Sequence, residues 1–266
     1  MIRKPCVAGR FYPDEPALLK SAVEKFLVKS VKERAIAVIA PHAGYVYSGA
    51  VAGQVYSSVI IPDTVVLIGP NHTGLGENAA VMADGAWEMP IGSVQVDTEL
   101  SGAILDSSGL FSADPAAHLM EHSLEVQLPF IHSLNKKASI VPVTVMQANA
   151  DECAEMGASI AKAISAFGKD VLIAVSSDMN HYETEARTRE KDRLAIDEVL
   201  KLDPIGLLKV AARKDISMCG VIPAAIALTA ARRLGAKSAR LVKYSTSGEV
   251  SGDLRQVVGY AGIIIQ

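Results

Sequence analysis

Six short runs rich in β-branched and apolar residues, at 35–40, 64–68, 139–145, 171–176, 240–244 and 257–265, punctuate the chain. Between them apolar residues recur with helical spacing, over about 14–30, 49–59, 97–106, 122–134, 151–167, 186–200, 204–213 and 218–234. Neighbouring parallel strands need a long crossover, and a helix in that crossover covers one face of the sheet. The alternation therefore predicts an α/β fold, a three-layer α/β/α domain with a largely parallel or mixed central sheet. Half of the residues are apolar and only 5% are aromatic, the palette of strands buried on both faces. No Pro/Gly/Ser linker, low-complexity tract or repeat divides the 266 residues, so residues 1–266 are expected to form one domain.

Bulk charge narrows the function classes. The formal net charge is −3, and the densest basic segment, RTREKDR at 187–193, interleaves acids with bases as a solvated helix face does. That pattern argues against a nucleic-acid footprint, which needs clustered and unopposed cations. No apolar run approaches the ~18 residues that span a bilayer, and the first residues, MIRKPCVAGRFYPDEP, contain no apolar targeting core. A cytoplasmic protein with a small-molecule or peptide ligand is the expectation. Cys6, Cys153 and Cys219 are odd in number and widely spaced, which fits single thiols in a reducing compartment.

In parallel α/β sheets ligands gather where strands run out at their carboxyl ends. Three of the expected strands exit into polar loops there. IAPHAGYVYSG places His42, IGPNHTG places Asn71 and His72, and AVSSDMNHY places Asp178, Asn180 and His181. Histidine is the commonest metal ligand, and adjacent Pro or Gly lets a loop hold the ring in a fixed direction. Two imidazoles do not complete a site; Asp178, a glutamate or Cys219 can supply the third donor. Cys219 sits where a helix is expected to start, and a helix N-terminus and a nearby cation both favour thiolate.

The segments AGRFYP (8–13), APHAGYVYSG (40–49), GPNHTG (69–74), EHSLEVQLPF (121–130), SSDMNH (176–181) and MCG (218–220) together resemble the Memo family, also called system protein B of the AmmeMemoRadiSam group. The resemblance implies a fold like that of class III extradiol ring-cleaving dioxygenases, whose members use non-haem iron. It implies His42, His72 and Cys219 as metal ligands, with Asp178 and His181 as the catalytic pair beside them. Phe11, Tyr12, Tyr45 and Tyr47 match pocket-lining stretches, and Asn71, Glu121, His122 and Asn180 are expected at the pocket edge. The related dioxygenases use two histidines and a carboxylate. A thiolate in place of that carboxylate is a softer, more electron-donating ligand, suited to Fe(II) or Cu, with Zn also admissible. The implied activity is an oxygen-dependent oxidation. The resemblance equally implies a binding module that takes phosphotyrosine-like or other anionic ligands in the same cleft.

Two local motifs compete. HLMEH at 118–122 spells H-x-x-E-H, the inverted zinc-peptidase motif, which needs His118 and His122 on one helix face with Glu121 as base. GLGENA at 74–79 spells G-x-G-x-x-A after a strand, but AAVMA behind it reads as another strand rather than a helix.

Overall fold

The computed structural model describes residues 1–266. In chain order its elements begin β1 (Ile2–Arg3), α1 (Pro16–Phe26), β2 (Ala37–Ala40), α2 (Tyr45–Ser57), β3 (Thr64–Pro70), β4 (Ala79–Val81), β5 (Ala86–Met89) and β6 (Gly92–Gln95). The middle of the chain gives α3 (Thr98–Ser107), β7 (Ser112–Ala113), α4 (Ala116–Leu119), α5 (Leu128–Leu134), β8 (Ser139–Val145), α6 (Ala150–Phe167), β9 (Val171–Ser176) and β10 (His181–Glu183). The remainder forms α7 (Glu185–Leu200), α8 (Pro204–Lys214), α9 (Val221–Arg233), β11 (Ala239–Thr246), α10 (Gly248–Ser251) and β12 (Val257–Ile265).

The main sheet runs β10-β12-β2-β9-β3-β8-β4-β7, with β11 also paired to β12. Its centre, β2-β9-β3-β8, is parallel. β12 and β4 join that centre antiparallel, which makes the sheet mixed. Along the central strands alternate residues enter opposite cores. Ile39, Val66, Ile68, Ile173 and Val175 face the layer containing α3 and α6 to α9. Val38, Val65, Leu67, Leu172 and Ala174 face α1, α2 and α5. Near-complete burial on both sides is why these strands read as continuous apolar runs. A separate three-stranded sheet, β1-β5-β6, supplies buried Trp87 to the second core.

Several boundaries differ from expectation, each for a local reason. α1 starts at Pro16 because the Glu15 carboxylate caps the backbone N–H groups of Ala17 and Leu18. The expected helix over 122–134 is helical only in its second part. A 3-10 turn at Glu125–Gln127 leads into α5, while Glu121 spends its side chain on nearby backbone N–H groups. The basic segment at 187–193 lies in α7 and is paired with Glu183, Glu185, Glu190 and Asp197, as its interleaved charges imply.

The register sets the site. Ala40 lies beside Ser176, and Ile68 beside Val175, so the carboxyl ends of β2, β9 and β3 are nearly level. His42, His72 and Asp178 each stand two residues beyond their strand's last residue.

On the opposite core, α6 touches α9 closely at Gly157, where an added Cβ would lie 2.5 Å from the Ile226 carbonyl oxygen. Gly157→Ala should therefore force the helices apart and cost about 1–3 kcal/mol. Urea unfolding followed by far-UV circular dichroism should read this as a lower midpoint with an unchanged slope.

Candidate metal centre

A chain of hydrogen bonds fixes the His42 ring from behind. The Tyr56 hydroxyl donates to Gln127 Oε1 at 2.9 Å, which orients that amide so that Nε2 donates to Pro41 O at 3.0 Å and Ser176 Oγ at 2.8 Å. Ser176 gives its single proton to Ser123 O at 2.6 Å. Its oxygen can then only accept from His42 Nδ1, 2.9 Å away. His42 is thus held as the Nδ1–H tautomer, with the Nε2 lone pair pointing away from Ser176. Burial, reinforced by His122 and His72, holds its pKa well below the usual histidine range, so the ring is neutral. The Asp178 carboxylate accepts from the backbone N–H of His42 at 2.8 Å and tethers the β2 exit to the β9 exit.

Glu121 does the same for His72. Its Oε1 lies 2.9 Å from His72 Nδ1, and its carboxylate also accepts from the backbone N–H groups of His72 and Ser123. Burial alone would raise the Glu121 pKa, but the His72 and Ser123 hydrogen bonds outweigh it and hold the pKa at about 2. An ionised carboxylate only accepts, so the His72 Nδ1 carries a proton and donates to Glu121 Oε1. His122 joins through the same oxygen, with Nδ1 at 3.4 Å. Donor atoms of His42, His72 and His122 all lie within 4.8 Å of one another. Carboxylate and hydroxyl partners behind imidazoles are the arrangement that orients metal-binding histidines.

Cys219 borders this group at His42, with Sγ 3.3 Å from Nε2. Metal–ligand bonds near 2.0–2.3 Å at a tetrahedral angle separate nitrogen and sulfur donors by about 3.5 Å. The 3.3 Å spacing also suits an S–H···N hydrogen bond from the thiol to the Nε2 lone pair. The thiol is held by the Asp178 backbone N–H at 3.2 Å. Next to it Gly220 packs so tightly on β9 that an added Cβ would lie 2.5 Å from Ser177 Cβ. The helix-start position does not by itself give a thiolate. Burial, then the Asp178 charge, pushes the Cys219 pKa far above the normal thiol range, so the thiol is protonated.

The other expected site residues divide. The His181 Nδ1 donates to Ser217 O at 2.9 Å, leaving its Nε2 free. Asp178 is buried, and burial raises its carboxyl pKa despite the N–H donors around it. The Phe11 ring lies 4.8 Å from that of His122, and Tyr47 is exposed. Four residues expected to line the pocket instead brace its walls. Tyr12 is buried with its hydroxyl on Glu125, and Tyr45 is buried with its hydroxyl on Val126 O. Asn71 turns inward to cap Thr73 and Gly74 and shape the His72 loop. Asn180 is buried between Glu183 and Ser217. His122 moves the other way, from an expected edge position to the third member of the imidazole group. The side chain behind His42, Ser176, was missed, because nothing in a serine at a strand end announces its partners.

The peptidase motif does not form. α4 ends at Leu119, before Glu121 and His122, so the two histidines do not share a helix face. His118 is buried against Trp87 with ring centroids 5.7 Å apart, and neither ring nitrogen has a hydrogen-bond partner. GLGENA likewise runs through the loop after β3 into the first residue of β4, with no helix to receive a dinucleotide.

Two measurements check this wiring. Ser176→Ala removes the acceptor for His42 Nδ1–H, so histidine ¹⁵N shifts should move from a pure Nδ1–H pattern to a tautomer mixture. For His118, burial and Arg3 lower the pKa from 6.5 to about 4. The unfolded chain then binds more protons between those values, and stability falls as pH drops through them, by roughly 3 kcal/mol. His118→Leu should make that acid-side slope shallower in urea titrations at pH 7 and pH 4.5.

The family model described as Memo-like protein matches residues 3–264. A MEMO1 family protein of Methanothermobacter thermautotrophicus is 41% identical over 274 aligned residues, covering 98% of this chain and 99% of the relative. A MEMO1 family protein of Methanosarcina acetivorans is 40% identical, covering 100% of this chain and 99% of its own length. One from Methanopyrus kandleri is 38% identical over 100% of this chain and 99% of its own length. With the α/β fold and the strand-exit histidines in place, these matches over nearly the whole chain make it a member of the Memo family.

Proposed function

We propose that the protein is a metal-dependent oxidoreductase acting with oxygen, its ion held by His42, His72 and Cys219 with His122 as a further imidazole donor. The observation that carries this reading is the grouping of the ring nitrogens. Ser176 and Glu121 accept from Nδ1 of His42 and His72, donor atoms of His42, His72 and His122 lie within 4.8 Å of one another, and Cys219 Sγ borders the group 3.3 Å from His42 Nε2. A nitrogen and sulfur donor set suits Fe(II), Cu or Zn and disfavours Mg²⁺ or Ca²⁺. An iron or copper ion in that space would supply one-electron chemistry with oxygen; zinc would supply Lewis acidity only.

The chain's own residues would handle protons and substrate. His181, with Nδ1 held by Ser217 O, presents Nε2 as a general base or acid. Asp178 uses one carboxylate oxygen on His42 N–H and leaves the other for a substrate hydroxyl. Phe11, against the His122 ring, and exposed Tyr47, on the first turn of α2 behind the His42 loop, offer aromatic groups. Those aromatic groups also support a second reading, a cleft that binds a phenolic or anionic peptide group without turnover.

Anaerobic purification followed by elemental analysis separates the readings. About one equivalent of Fe or Cu is expected, with His42→Ala and His72→Ala reducing it to background and Cys219→Ser weakening retention. Oxygen uptake with a phenolic reductant should then fall by about 10²-fold in His181→Gln while metal content stays constant. Metal content indifferent to all three ligand substitutions would overturn the site. A loaded protein that consumes no oxygen with any reductant would leave the binding reading in its place.

A further inference from the structure

The 118–125 segment carries Glu121, His122 and Ser123, which respectively orient His72, complete the imidazole group and receive the Ser176 proton. Between the end of α4 and the 3-10 turn it has no regular structure of its own, so its shape depends on what grips it. The grip comes from Arg3, more than a hundred residues away on β1. Arg3 is fully buried. Its Nε donates to His118 O at 2.9 Å, its Nη2 donates to Glu121 O at 2.7 Å, and its Nη1 forms an ion pair with Glu125. The guanidinium sits 4.3 Å from the centroid of the Trp87 ring. Glu125 is saturated in turn by the backbone N–H groups of Cys6 and Val7 and by the Tyr12 hydroxyl.

A fully buried guanidinium must find acceptors for all its N–H groups, and Lys4 O and Cys6 Sγ take two contacts beside Glu125. What ties Arg3 to the site is where the others go: two donors hold backbone carbonyls at either end of the His118–Glu121 turn, a fork geometry that a point charge cannot reproduce. One of those carbonyls belongs to Glu121, the residue whose carboxylate fixes the His72 tautomer, and it directly precedes His122. We infer that Arg3 is a positioning residue of the metal centre, setting the placement of Glu121 and His122 through the backbone of the turn. This rests on the metal reading above.

Arg3→Lys tests the inference most cleanly, because lysine keeps the charge opposite Glu125 and gives up the fork. Arg3→Met/Glu125→Gln removes both charges together and avoids stranding one of them in the interior. Co(II) serves as the probe, titrated into the metal-free full chain, with Kd and the visible ligand-field bands read together. Altered supports behind metal ligands typically change affinity by 10–100-fold. A Kd about tenfold higher is expected in both variants, with changed band intensity. Ile160→Ala, in the core on the other side of the sheet, should lower stability and leave Kd and spectrum unchanged. Wild-type Kd and spectrum in Arg3→Lys and in the double variant would overturn the inference while the metal reading stands. A wild-type protein that takes up no Co(II) would remove the metal reading and this inference with it.

Discussion

The Ser176 hydroxyl has one proton to give and two lone pairs to offer, and the whole centre depends on how it spends them. The proton goes to Ser123 O, and the lone pairs receive Gln127 and His42. A different allocation would turn the His42 ring's proton towards Cys219 and His72. Because Gln127 is itself oriented by Tyr56, the choice is made deep in the second core and only delivered at the strand end. Site and core are therefore not separable here. The polar chain that sets the tautomer is packed as tightly as the apolar residues around it, and it tolerates no unpaired member.

The electrostatics have a consistent sign. Burial keeps His42 neutral, keeps the Cys219 thiol protonated and raises Asp178, while hydrogen bonds hold Glu121 ionised. The arrangement thus presents ring nitrogens and a fixed negative charge around a shared space. A cation held there would favour loss of the Cys219 proton. The same features make the centre poorly suited to binding an anion directly on the imidazoles, which accept rather than donate at Nε2.

The strand exits were legible because buried parallel strands leave a strong apolar signature and their polar endings stand out against it. His42, His72, Asp178 and His181 are readable on that basis, and the register then brings the first three to one level. His122 is readable only as a pocket-edge residue, not as a member of the imidazole group. It lies in a segment whose apolar spacing looks helical, while Arg3, more than a hundred residues away, donates to the backbone carbonyls of His118 and Glu121 in that turn. Tyr12 and Tyr45 were misplaced for a related reason: proximity to the site in sequence does not say which way a side chain turns, and both hydroxyls found backbone or carboxylate partners in the core. The strands β1, β5, β6, β7 and β10 are two to four residues long, too short for alternation to register.

The ligand candidates come from positions 42, 72, 122 and 219, and no two of them share an element. They meet only when β2, β3 and β9 are in register and α9 is docked. No fragment of the chain can hold the complete set, so an ion bound there must be lost whenever the sheet opens. By mass action such an ion would stabilise the folded chain by RT ln(1 + [M]/Kd), about 2.7 kcal/mol at a hundredfold excess over Kd. Under the proposed function the four loops would act as a clasp on the sheet whose strength follows the free metal concentration around the protein.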